Sequence, residues 1–206
     1  MGEEGNRIGV LAFGSLIGDS GELDSVTAKR VDVTTPFPVE FARSSSRRDG
    51  GPTLVPVTEG GAKVTAVVLV LKASVSISAA TDMLYRRETN QVGSEIKYPH
   101  KADPSPDDVV VEEIKDFGSC DVVLYTRIGT NIQPLTATKL AEMAIASAKK
   151  RAGAEHRDGI SYMSEAKQNG IVTALGPAYE AEVLAQTNSG SLDAAWLVCR
   201  QSVEHR

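Results

Sequence analysis

Glu88 is the side chain whose type and position point most directly to chemistry. Laid on a helix, Ile77, Ala80 and Leu84 fall on one apolar stripe, and a further step of four lands on Glu88. A carboxylate therefore stands where the pattern asks for a core residue. Apolar surroundings oblige such a group to hold its proton more tightly or to find a partner, and either outcome suits proton transfer near neutrality. The competing reading is a helix-end glutamate that rolls outward to pair with Arg86, Arg87 or Arg43. A second candidate is Gly14-Ser15-Leu16-Ile17-Gly18-Asp19-Ser20-Gly21, which follows an apolar run ending at Phe13. A glycine-rich bend of this kind can aim backbone N–H groups at an anion, so it is a candidate cradle for a carboxylate or phosphate. Its competing reading is an ordinary strand exit. The G-x-G-x-x-G pattern of a dinucleotide site is absent.

Other polar groups carry weaker signals. Tyr125 and Tyr162 could line a pocket, although a tyrosine on an element's face is more often core. Arg43 could pair with a carboxylate, but Arg43, Arg47 and Arg48 also read as one solvated basic face. Tyr98 and His100 fall in a polar loop. His156 and His205 carry no readable chemistry, and Cys120 and Cys199 have neither a CxxC partner nor a nearby histidine.

These groups need elements to position them. Arg7 to Phe13 reads as a buried strand, and Pro38 to Arg43 with Thr53 to Val57 as two further strands held near edges or bulges by prolines. The segment Ala62 to Leu71 has the β-branched alternation of a central strand and leads into the Glu88 helix over residues 78–90. Gln91 to Asp108, with three prolines, is an irregular loop long enough to fold over a pocket as a lid. Val109 to Ile114 and Asp121 to Thr126 make a hairpin around Phe117-Gly118-Ser119-Cys120. Helices follow over Thr136 to Lys150, stopped near Gly153, then Tyr162 to Asn169 and Ala178 to Gln186. The pattern is α+β, without strict βαβ alternation.

Composition narrows the function classes. The chain has 206 residues and a net charge of −5, and no basic stripe is interleaved with aromatics, so nucleic acid and anionic membrane are poor partners. The acidic N-terminus lacks an apolar signal core and the longest apolar run is too short to span a bilayer, which predicts a cytoplasmic protein.

Several of these segments, in order, carry a resemblance. Phe13-Gly14-Ser15-Leu16, then Phe37-Pro38-Val39-Glu40-Phe41 leading to Gly51-Pro52-Thr53-Leu54-Val55-Pro56, then Leu84-Tyr85-Arg86-Arg87-Glu88, then a late strand ending near Tyr125, together resemble the gamma-glutamylcyclotransferase-like family over roughly residues 8–126. Arg157-Asp158-Gly159-Ile160-Ser161-Tyr162 resembles, more loosely, a segment of the glutathione-directed branch. The resemblance implies a small mixed β-barrel with flanking helices over 1–130; the helices over 131–206 exceed the minimal family domain and read as a C-terminal extension packed on the same domain. It implies that Gly14, Ser15 and Leu16 offer amides to a substrate α-carboxylate and that Glu88 is the general acid/base. Phe13 replaces the family's usual Tyr. Tyr125, Tyr162 and Arg43 are the further substrate-binding candidates.

The implied reaction is cyclisation of a γ-glutamyl group to 5-oxoproline with release of an amine, amino acid or peptide. The substrate's own α-amine is the nucleophile, so the protein must fold the chain, take a proton and return it. No metal or organic cofactor is implied, and the partner is a small γ-glutamyl compound bound by a monomer or homodimer. The alternative is a non-catalytic member of the same fold that binds a small ligand or a partner.

Overall fold

The computed structural model describes residues 7–204. In chain order the first elements are β1 (Ile8–Ala12), α1 (Leu23–Val26), β2 (Thr27–Thr34), β3 (Val39–Ser45), β4 (Gly51–Pro56), β5 (Thr65–Leu71) and α2 (Ile77–Glu88). They are followed by β6 (Val110–Phe117), β7 (Cys120–Arg127), α3 (Ala137–Ala148), α4 (Arg151–Ala154), α5 (Gly159–Gln168), α6 (Gly176–Thr187) and α7 (Leu192–Glu204). Two compact units result: Met1–Thr35 with Thr65–Gly129, and Pro36–Val64 with Thr130–Arg206. This grouping differs from the expected division at residue 130, because the β3–β4 hairpin clusters with the C-terminal helices.

The first unit is built on a five-stranded sheet in the order β2-β5-β1-β7-β6. Every residue of β1 is buried, so both faces of this central strand are covered. It runs antiparallel to β5, with Ala12 opposite Val67, and parallel to β7, with Val10 opposite Leu124. The β6–β7 turn places Gly118 and Ser119 at φ 57° and 66°, the paired positive φ that matches strand twist in a two-residue hairpin. A Cβ on Gly118 would also come within 2.5 Å of Val68 Cγ2. β2 and β6 are the sheet's edges, and no closed barrel forms among the described residues. The architecture is mixed α+β.

The helix expected around Glu88 is α2. Ser76 caps it by accepting from the Ala79 amide at 3.2 Å. Ala80 and Leu84 are fully buried in one core with Val10, Leu16, Leu69 and Leu124, and Arg86 and Arg87 occupy the last turn, where the helix dipole favours cations. Residues 91–108 contain no helix or strand, as expected.

In the second unit β3 and β4 pair antiparallel, and β4 packs on α3 and α5. The contact is close: a Cβ on Gly51 would lie 2.8 Å from the Gly159 nitrogen, and one on Gly159 would lie 2.9 Å from Pro52 Cδ. α5 begins at Gly159, earlier than expected, because the Asp158 carboxylate accepts from the amides of Ile160 at 2.8 Å and Ser161 at 3.1 Å. Gly153 lies inside α4 and does not act as the α3 stop.

Candidate active site

Pairing of β1 with its neighbours ends before Phe13. The chain then makes a 3-10 turn over Gly14–Leu16, closed by the Ile17 amide donating to the Gly14 carbonyl at 3.2 Å. Gly14 sits at φ 60°, in the left-handed region that glycine enters without a Cβ penalty. Leu16 turns inward and joins the core beneath α2. Ser15, the exposed-side residue of the bend, directs its hydroxyl to α2, where it accepts from Arg87 Nη2 at 3.2 Å.

Arg87 organises the site. Its Nε donates to the Asp19 carbonyl at 2.8 Å and its Nη1 to Glu88 Oε1 at 2.9 Å. Its side chain is 9% exposed and that of Glu88 is 25% exposed. Glu88 therefore does pair with a neighbouring arginine, as the competing reading expected, but the pair is sheltered. The apolar stripe contributes to this: Ala80 and Leu84 are buried, and position 88, one helical step further on, is half-buried. Glu88 Oε2 has no partner among the described residues. Ser15 and Glu88 are thus acceptors of one rigid guanidinium, with one carboxylate oxygen left over.

The preceding arginine does something different. Arg86 Nε donates to Glu22 Oε1 at 3.0 Å, its Nη2 donates to Glu22 Oε2, and its Nη1 donates to the Ile96 carbonyl at 3.1 Å. Glu22 also accepts from the Gly93 amide at 2.6 Å. The Arg86 hydrogen bond, reinforced by Gly93, holds the Glu22 carboxyl below its ordinary 4.5 against the opposing effect of burial. Further along, Asp82 accepts from the Tyr98 amide at 2.8 Å and pairs with Lys97 at 3.1 Å. Burial works to raise the Asp82 carboxyl, but these donors outweigh it and hold it below 3.8. The expected lid is therefore strapped to α2 at both points. Tyr98 packs edge-on to Tyr85 at 5.4 Å and to His100 at 4.6 Å, and its hydroxyl accepts from the Val111 amide at 3.2 Å.

Tyr125 lies opposite Glu112 across the β6–β7 pair and donates its hydroxyl proton to that carboxylate. Burial, and then this hydrogen bond, push the Tyr125 phenol up to about 12. Arg127 Nε donates to the same carboxylate at 2.7 Å. Tyr162 and Arg43 belong to the second unit, so the candidate residues do not all lie on one unit. The Tyr162 ring is buried, edge-on to Phe41 at 6.0 Å and 3.6 Å beneath the Arg48 guanidinium carbon.

The second unit also holds a groove of about 250 Å³ lined by Ile160, Ser161, Leu192, Asp193, Trp196 and His156. His156 stacks on Trp196 with centroids 4.1 Å apart. None of the residues proposed for catalysis or substrate binding lines it. Both cysteines are buried, and burial pushes both thiols up, so neither is poised as a thiolate. Among the described residues no helix is long and apolar enough to cross a membrane, and no cluster of histidine, cysteine and carboxylate side chains could hold a metal ion. His205 lies outside the described residues.

In the sequence Arg87 stands out as a competitor for Glu88 and as part of the Leu84–Glu88 segment, whereas Glu22, Asp82 and Glu112 carry no such mark. The adjacency of Arg86, Arg87 and Glu88 in one helical turn was the available signal for the first. Glu22 had none, since its partner is 64 residues away. Comparison of the chain with protein-family models, with curated proteins and with solved structures finds no match.

Proposed function

We propose that the chain is a gamma-glutamylcyclotransferase-like enzyme that closes a γ-glutamyl group to 5-oxoproline, with Glu88 as general acid/base. The observation that supports this reading is the sharing of one buried guanidinium by Ser15 and Glu88, with Glu88 Oε2 free to accept a proton. The first amides of a helical turn have no partner within the turn. In the proposal the N–H groups of Gly14 and Ser15 hold the substrate α-carboxylate, and Leu16 anchors the bend to the core.

The α-ammonium then gives a proton to Glu88 Oε2. The freed amine attacks the γ-carbonyl carbon, forming the ring C–N bond and placing negative charge on the carbonyl oxygen. Collapse of that intermediate breaks the bond to the leaving nitrogen, which takes the proton from Glu88, and the ring nitrogen passes its second proton through the vacated carboxylate to the released amine, leaving a neutral lactam and an ammonium ion. One carboxylate serves both transfers because the donor and acceptor nitrogens are on adjacent positions of the same tetrahedral carbon. Holding the glutamyl chain folded is the larger share of the catalysis, since a five-membered closure of this kind has a high effective molarity.

Phe13 offers no hydroxyl to the substrate, and the Tyr125 hydroxyl is committed to Glu112. The proposal therefore places recognition on Gly14, Ser15 and Glu88, all in the first unit, and gives Tyr162 and Arg43 no contact in it. A closed barrel, which the family resemblance implies, is not needed for this geometry. The second reading, a non-catalytic ligand-binding module, is favoured by Phe13 and by the Glu88–Arg87 pair. Incubation with a panel of γ-glutamyl amides, γ-glutamyl dipeptides and glutathione, with 5-oxoproline as the readout, separates the two. Turnover of a panel member supports the enzyme; binding without turnover supports the module.

A further inference from the structure

We infer that Arg87 is a positioning residue that sets the distance between the Gly14–Ser15 bend and the Glu88 carboxylate. The separation so fixed would admit the α-carboxylate and α-ammonium of one amino-acid head group together. The inference rests on the cyclotransferase reading for what that head group belongs to, but not for the geometry itself.

Three nitrogens of one planar group reach three different pieces of chain: Nε to the Asp19 carbonyl at 2.8 Å, Nη1 to Glu88 Oε1 at 2.9 Å, and Nη2 to Ser15 Oγ at 3.2 Å. A guanidinium cannot bend, so its acceptors are held in a common frame. An ammonium would supply the charge without the frame. The stem of Arg87 is also fixed. Gly21, at φ +59°, brings its backbone so near that an added Cβ would lie 3.3 Å from Arg87 Cγ. Arg86, next in the chain, is engaged by Glu22 and Ile96 and cannot substitute. Anion and ammonium subsites on either side of one buried group suit a zwitterion, and Arg87 touches neither substrate charge in this arrangement.

The test uses the full chain and the variants R87K, R87Q, E88Q and R87Q/E88Q. With a turned-over γ-glutamyl compound, R87Q should lower kcat/KM about 10²-fold, the scale expected when a reacting group is misplaced by about an ångström. R87K, which keeps charge without the fork, should recover only part. If Arg87 acts through Glu88, R87Q should cost less than about threefold more in the E88Q background, the non-additivity of residues that work as a unit. Full additivity, or wild-type kcat/KM in R87Q, overturns the inference. A readout independent of turnover is the backbone amide spectrum during titration with L-glutamate. Shifts at Gly14 and Ser15 that occur in wild type and E88Q but are lost in R87Q support the frame, whereas identical behaviour in R87Q overturns it. If wild type releases no 5-oxoproline the enzymatic reading falls, and the titration still decides the role of Arg87.

Discussion

Glu40 and Glu88 are both sheltered glutamates, one in each unit, and they are sheltered for opposite ends. Glu40 is fully buried, with Oε1 accepting from the Phe41 amide and Oε2 from the Leu175 amide, each at 2.9 Å. It ties β3 to the N-terminal end of α6, where the helix dipole favours a carboxylate. Both oxygens are satisfied, so nothing is left for chemistry. Glu88 is less buried, has one oxygen on Arg87 and keeps the other available. Burial alone does not mark a candidate acid; an unfilled hydrogen-bond position on a sheltered carboxylate is the more useful sign.

The sharpest way to break this contrast is to remove each carboxylate and measure stability. Glu40→Ala should destabilise the second unit by about 2–4 kcal/mol, because one buried and one part-buried amide lose their acceptors. Urea unfolding monitored by hydrogen exchange in α6 reads this, and a change under about 1 kcal/mol would show that Glu40 is not the clamp described. Asp158→Ala should follow at about 2 kcal/mol, the upper range for a lost N-cap, since this carboxylate also accepts from Ser161 Oγ at 2.6 Å.

Glu22→Gln should loosen residues 91–98 by about 1 kcal/mol through loss of the charged bidentate contact with Arg86. The folded Glu22 and Asp82 carboxyls lie below their ordinary values of 4.5 and 3.8. Their contribution is therefore fully present above about pH 4.5 and is lost as pH falls through the lowered folded values. Amide protection factors in this segment, referred to the intrinsic exchange rate at each pH, should fall in acid, and less steeply in Glu22→Gln than in wild type; equal slopes would sink the strap. Tyr125→Phe should cost about 1 kcal/mol, and ultraviolet titration should show the Tyr125 phenol still protonated near pH 11. Smallest of all, Glu88→Gln should alter stability by under about 0.5 kcal/mol, as expected for a partly exposed pair.

The stripe of α2 was legible because local periodicity alone decides which face is buried, and Ala80 and Leu84 obey it. The β6–β7 hairpin was legible from its turn residues. β2 was not, since Thr27–Thr34 alternates polar side chains on an exposed edge and only its pairing with β5 makes it a strand. α7 could have been found: Ser191 caps it by accepting from the Ala194 amide, and Leu192, Ala195 and Cys199 recur on one buried face. The Asp158-Gly159 pair read as a family feature has an evident local cause in the cap and in close packing against Pro52. Arg87 was the deepest omission. Its partners at Ser15 and Asp19 are 72 and 68 residues away, and no window on the sequence brings them together.

The central claim is tested most directly by release of 5-oxoproline from γ-glutamyl compounds by wild type and by Glu88→Gln, assayed side by side on folded protein. The account predicts turnover by wild type and a loss of at least about 10²-fold in the variant, the scale of general acid/base catalysis. Equal rates from the two proteins would contradict it.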